Sequence, residues 1–203
     1  MLDGSQNDFK TAELDPALLS TPFRIQTRWH VITGASCSGK STLIDQLAGK
    51  GFQTVPEVGR QYIEKELAKG RTIDEIRKNQ AELTCKIYQM WVETEAGLDP
   101  SDTLFLDRAL PDSFAFYRVI GKDPNKILPD CFQHHYASVF MLDRFPYDRD
   151  GVRAGDDAYA EFFDLWMVRD YKALGYDVIR VPILPPDERL SFILKNLSTQ
   201  GLV

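Results

Sequence analysis

The sequence predicts an α/β fold in three layers, a five-stranded and mainly parallel sheet with helices on both faces. Three observations lead to that class. From Trp29 onward, short apolar strands alternate with helical patterns. A glycine-rich turn joins the first strand to the first helix. The length of 203 residues fits one α/β domain or two small ones, and no linker long enough to split the chain and no internal repeat is seen. Strand–helix alternation implies right-handed crossovers, hence parallel neighbours buried on both sides.

The elements follow in order. Residues 1–28 hold turn formers and two prolines, Pro16 and Pro22, without a sustained period. They read as an arm, partly disordered or draped over a domain spanning 29–203. Trp29–Thr33 (WHVIT) is the first strand. Ser38–Lys50 is helical, with Leu43, Ile44 and Leu47 on one face and Gly49 and Gly51 as the stop. Phe52–Val55 is the second strand, closed by Pro56. Gly59–Lys69 is a helix with Tyr62, Ile63 and Leu67 apolar, ending at Gly70. Thr72 with Glu75 forms a capping-box pattern, and the helix it opens is expected to run to about Leu98. Thr103–Leu106 is the third strand, ending in Asp107. Helices are expected over Pro111–Ile120 and Lys126–His135. Ser138–Leu142 is the fourth strand, Tyr159–Leu174 a helix, Asp177–Val181 the fifth strand and Pro186–Leu197 the last helix. Between them, about 144–156 is polar and rich in Arg, Asp and Gly, and reads as a mobile lid loop.

Composition narrows the function. The chain is 43% hydrophobic and 27% charged, ordinary globular values, with a formal net charge of −6. An acidic chain is poorly suited to a phosphate backbone, so a nucleic-acid partner is not expected. The longest apolar runs reach about five residues, against the roughly 18 a membrane helix needs. The start, MLDGSQNDFK, lacks the basic and apolar regions of a secretory leader. Cys37, Cys85 and Cys131 are odd in number and far apart, which fits neither a disulfide framework nor a zinc set. A cytoplasmic location is the expectation.

Gly34-Ala35-Ser36-Cys37-Ser38-Gly39-Lys40-Ser41, followed by Thr42, matches G-x-x-x-x-G-K-[ST] with a strand before it and a helix within it. Glycines there let the backbone curl so that successive amides point at phosphate oxygens, and the helix N-terminus adds its positive end. Lys40 is expected to reach the β- and γ-phosphates of ATP, Ser41 to ligate Mg²⁺ and Thr42 to touch the α-phosphate. Cys37 lies within this loop.

Two carboxylates suggest what happens to the phosphates. Glu57 follows the second strand and Asp107 ends the third. In an open parallel sheet the ligand crevice lies at the carboxyl ends of the strands, so both should face the loop. One can bind Mg²⁺ and the other can accept a proton from a hydroxyl; which does which stays open. Arg60 and Arg108 follow closely on these acids. Arg144, Arg149 and Arg153 lie in the lid loop, with Arg153 best placed beside Gly151 and Gly155. Arginines that close on a γ-phosphate stabilise charge and exclude water. Asp112 either caps a helix or faces substrate.

The segments GASCSGKST (34–42), PEVGRQYI (56–63), FLDRALPDSFAF (105–116) and DRDGVRAGD (148–156) together resemble the AAA-type predicted ATPase/kinase family of P-loop proteins. That family is related to the nicotinamide-riboside kinase domain and, more loosely, to the deoxynucleoside kinases. The resemblance implies a kinase-like fold with strand order 2-3-1-4-5. It implies Glu57 and Asp107 as base and magnesium-associated acid, and Arg153 as a lid arginine. Deoxynucleoside kinases carry E-R-S where this chain has Asp107-Arg108-Ala109.

The expected activity is therefore ATP-dependent phosphoryl transfer to a small-molecule hydroxyl, on a nucleoside- or riboside-like metabolite. A nucleotide switch or slow hydrolase is the alternative. Against it, Asn125-Lys126-Ile127-Leu128 lacks the Asp of a guanine-binding motif and follows no strand. Arg108 also stands where a motor ATPase carries a water-orienting Glu. His134-His135 has no third ligand nearby, and adjacent histidines point apart on a helix. Tyr62, Tyr88 and Trp91 are candidates for stacking on a base.

Overall fold

The computed structural model describes residues 9–144 and 157–199. Its elements are α1 (Pro16–Leu19), β1 (Ile25–Gln26), β2 (Trp29–Thr33), α2 (Lys40–Gly49), β3 (Gln53–Val55), α3 (Val58–Ala68), α4 (Ile73–Arg77) and α5 (Gln80–Ala96). They continue with β4 (Leu104–Asp107), α6 (Ser113–Val119), β5 (His134–His135), β6 (Ser138–Leu142), α7 (Asp157–Ala173), β7 (Val178–Val181) and α8 (Pro186–Thr199). The main sheet runs β3-β4-β2-β6-β7, all parallel. Counted within that sheet alone, the order is 2-3-1-4-5.

Two apolar faces explain why the strands read as unbroken hydrophobic runs. On one side Trp29, Val31, Leu104, Leu106 and Val139 pack with Trp91, Phe114 and Tyr171 from the crossover helices. On the other, Ile32, Phe105, Phe140 and Leu142 pack with Leu43, Leu47, Leu190 and Ile193 of α2 and α8. The register sets Ile32 opposite Asp107 and Thr33 opposite Met141, so the strand tips end level. Asp107 and the turn after Thr33 are thereby brought to one rim.

Three stretches differ from the sequence expectation. The helix opened at Thr72 stops after Arg77, although its capping box forms as expected. Asn79 then accepts the Glu82 amide and caps a new helix, α5, because a short amide side chain competes with the helical backbone. The helix expected over 126–135 is replaced by 3-10 turns at Pro124–Lys126 and Leu128–Phe132. Pro124 and Pro129 remove amide donors there. His134–His135 forms a strand instead, parallel to Ile25–Gln26 in a separate two-stranded sheet. His134 packs on Trp29 and His135 on Tyr176.

Residues 9–28 lie against this side. Leu14 is buried, Asp15 caps α1, and the Ala12 carbonyl accepts from Arg118 Nε at 2.8 Å. Arg118 also meets Asp170 in a two-pronged ion pair, at 2.6 and 2.7 Å. Among the described residues, no helix is long and apolar enough to cross a membrane.

Candidate active site

The turn after β2 is set by its backbone conformation. Gly34 has φ +142°, and a β-carbon there would stand 2.9 Å from the Leu142 carbonyl, so only glycine fits between the strand tips. Cys37 at φ +62° and Gly39 at φ +87° are left-handed. Left-handed residues in such a turn face successive amides into one concavity. Gly39 caps α2 without any side-chain bond, so the first-turn amides are left for an anion. Lys40 is buried and curls back, donating from Nζ to the carbonyls of Gly34 (2.9 Å) and Ala35 (2.8 Å). Burial and neighbouring Arg108 weaken the hold of Lys40 on its proton, while Asp107, Glu57 and Asp112 oppose them. Ser41 is half-buried; Ser36, Cys37 and Thr42 are exposed.

Beside the loop stands a charged cluster. Asp107 ends β4, is 3% exposed, and its Oδ1 is buried without a hydrogen-bond partner among the described residues. Burial raises its carboxyl above the usual range; Lys40 pulls it down and Glu57 pushes it up. Arg108 follows with φ +69°, a backbone state that non-glycine residues seldom adopt. Its amide bonds to the Ile32 carbonyl at 3.0 Å, which turns the side chain back over the strand tips. The guanidinium then bridges two acids, Glu57 Oε1 at 3.2 Å and Asp112 Oδ2 at 3.6 Å. Glu57 sits between β3 and α3 with its side chain 27% exposed. Asp112 is buried and accepts from Thr33 Oγ1 at 2.9 Å; burial raises its carboxyl and Arg108 draws it back. The rim thus holds a glycine-rich turn with Lys40 and Arg108 beside it, the partly open Glu57 and the buried Asp107.

A family model described as an AAA domain matches residues 29–189. The chain belongs to this AAA-domain family. Among curated proteins, none matches it. Solved structures give the fold of the AAA domain. The deoxyadenosine kinase of M. mycoides, with the products dCMP and dCDP bound, has a TM-score of 0.58 at 16% identity. That match covers 84% of this chain and 98% of the kinase. The NadR protein in complex with NR has a TM-score of 0.55 at 16% identity, over 76% of this chain and 45% of NadR. The thymidylate kinase of Candida albicans has a TM-score of 0.50 at 13% identity, over 87% and 93% of the two chains. At such identities the likeness is one of fold, and that fold is the P-loop kinase fold.

The AAA domain brings Gly34–Thr42, Glu57, Asp107, Arg108 and Asp112 to one rim. Arg60 does not join them: it is exposed on α3 with no ion pair to a described residue. Arg149 and Arg153 lie outside the described residues. Asp112 precedes α6 without capping it by its side chain, and its oxygens go to Thr33 and Arg108 instead. Trp91 is core, and Tyr88 bonds Asp130 and packs on Tyr117. Sequence reasoning missed Thr33, Met167 and Arg189. Met167 Sδ lies 3.8 Å from Arg108 Nη1 and 3.7 Å from Thr33 Oγ1, backing the cluster. Arg189, 3% exposed, donates to the Ser38 carbonyl and, at 3.2 Å, to that of Asp143. A signal for it existed: a cation in the first turn of α8 opposes the helix dipole, so something else must hold it there.

Proposed function

We propose that the protein is a small-molecule kinase, transferring the γ-phosphoryl group of ATP to a hydroxyl of a nucleoside- or riboside-like acceptor. The observation that carries this reading is Arg108, held in a left-handed backbone beside the phosphate cradle and bonded to the partly open Glu57. A motor-type hydrolase carries a water-orienting Glu at that position, and this chain has Arg108 there instead.

The roles follow from exposure and partners. The amides of the loop and Lys40 Nζ bind the phosphates. Asp107 and Ser41 are the residues to hold Mg²⁺, and the unpartnered Asp107 Oδ1 is an oxygen donor of the kind a hard cation takes. Bound there, Mg²⁺ would supply charge neutralisation at the β- and γ-oxygens. Glu57 is the base, because a hydroxyl arriving from solvent can reach a partly open carboxylate more readily than a buried one. Its oxygen takes the hydroxyl proton, the acceptor oxygen bonds to the γ-phosphorus, the bond to the β–γ bridging oxygen breaks, and ADP leaves. Arg108 orients Glu57 and lends positive charge; Asp112 and Thr33 hold Arg108. Arg149 and Arg153 are candidates for closing over the phosphates. An open cleft between α2 and the segment entering α8, lined by Thr42, Leu43, Gln46, Leu184 and Pro186, offers a seat for the nucleotide base. Three free cysteines agree with a reducing, cytoplasmic setting.

The test is ATP consumption across a panel of nucleosides and ribosides with Mg²⁺. ADP release that depends on one added acceptor supports transfer. Turnover indifferent to acceptor would assign the site to hydrolysis.

A further inference from the structure

The residue that shapes the phosphate cradle from outside is Arg189. We infer that Arg189 is a positioning residue: by fixing the Ser38 carbonyl it aims the Gly39 amide at the bound phosphates. The inference rests on the reading of 34–42 as a triphosphate site and adds to it a residue 151 positions away in the chain.

The argument starts from peptide geometry. In a planar trans peptide the C=O and the next N–H point to opposite sides. Arg189 Nη1 donates to the Ser38 carbonyl, and Nη2 donates at 3.2 Å to the Asp143 carbonyl, just beyond β6. One rigid guanidinium fork therefore spans the loop and the neighbouring strand end. With the Ser38 oxygen held on the Arg189 side, the Gly39 N–H must face the other way, into the concavity of the loop. Gly39 is the residue where this matters most. At φ +87° and without a β-carbon it has little intrinsic preference, so its peptide plane can flip unless something holds it. A flip would replace an N–H donor with a carbonyl oxygen facing an anion. Arg189 is itself anchored, being 3% exposed on a helix packed against α2. Leu190 and Ile193 of that helix share the apolar face of Leu43 and Leu47.

The experiment measures binding of inorganic tripolyphosphate and of ATP to the whole chain, with glycine-labelled amide NMR spectra. Tripolyphosphate has no base, so it separates shaping of the loop from contact with the nucleoside end. Wild type should bind both ligands, with a downfield shift of the Gly39 amide. Arg189→Met should weaken both by at least about tenfold, the scale of one charge-assisted hydrogen bond, and lose the Gly39 shift. Arg189→Lys keeps the charge but lacks the planar fork that spans the Ser38 and Asp143 carbonyls, and should fall between them. This variant decides the matter if the Met chain does not fold. Equal tripolyphosphate affinity and an unchanged Gly39 shift in Arg189→Lys and Arg189→Met would overturn the inference while leaving the kinase reading intact. Loss confined to ATP would overturn it too, making Arg189 a contact for the base. If wild type binds neither ligand, the triphosphate site itself is refuted and the inference goes with it.

Discussion

Replacing Arg118 with Met tests how the helices behind the site are held together. Arg118 is fully buried, makes two short bonds to Asp170 (2.6 and 2.7 Å), and donates to the Ala12 carbonyl at 2.8 Å. Its guanidinium also lies 4.0 Å over the Trp166 ring. Removing one partner of a buried pair strands the other, at about 3–5 kcal/mol. For a domain of this size each kcal/mol moves Tm by about 2–4 °C, so Arg118→Met should lower Tm by roughly 6–20 °C. The cost should depend on pH. Burial pushes the Asp170 carboxyl up to about 6 while Arg118 draws it back. Without Arg118 it rises further. A group whose pKa is raised by folding contributes stability below its unfolded value and loses it as pH rises through the folded value. The variant should therefore be penalised less near pH 5 than near pH 8. Urea unfolding followed by tryptophan fluorescence, with Asp170→Leu and the double variant, gives the coupling. The double variant should regain most of the loss, since apolar replacement of both partners leaves no buried charge alone. Additive losses in the cycle, or a single-variant cost below about 1 kcal/mol, would refute the reasoning.

Lys40→Ala should abolish nucleotide binding measured by calorimetry, because no other described side chain reaches the Gly34 and Ala35 carbonyls. Glu57→Gln should lower kcat by about 10²–10⁴ with ATP affinity little changed, in a steady-state assay with the acceptor found by screening. Asp107→Asn should instead raise the Mg²⁺ concentration needed for half-maximal rate; equal activity in both variants removes the assigned roles. His30 is 1% exposed, and burial, then Arg28, lowers its ring pKa from 6.5 to about 4. Its contribution is present above pH 6.5 and lost as pH falls through about 4, a span worth about 3 kcal/mol. In urea titrations from pH 7 to 4, His30→Phe should flatten that part of the acid loss.

The parts of this site that sequence reveals are those made by neighbours in the chain. The glycine-rich turn is nine consecutive residues whose proposed role lies in the backbone, and strand β2 announces itself because both of its faces are buried. Glu57 and Asp107 were legible for a topological reason: parallel strands end on a common rim, so an acid at a strand tip has few other places to go. The contacts that give those acids different tasks are of another kind. Arg108 meets Glu57 across 51 positions and Arg189 meets Ser38 across 151, and both depend on register and helix packing that no local pattern encodes. The same limit explains the shorter elements. Asn79 as a helix breaker is a contest between an amide side chain and the backbone, decided by Glu82 nearby. His134–His135 becomes a strand only because the chain at Ile25–Gln26 lies beside it. Local chemistry thus marks the glycine-rich turn and the two strand-tip acids, and long-range packing decides that Glu57 stays partly open while Asp107 is buried.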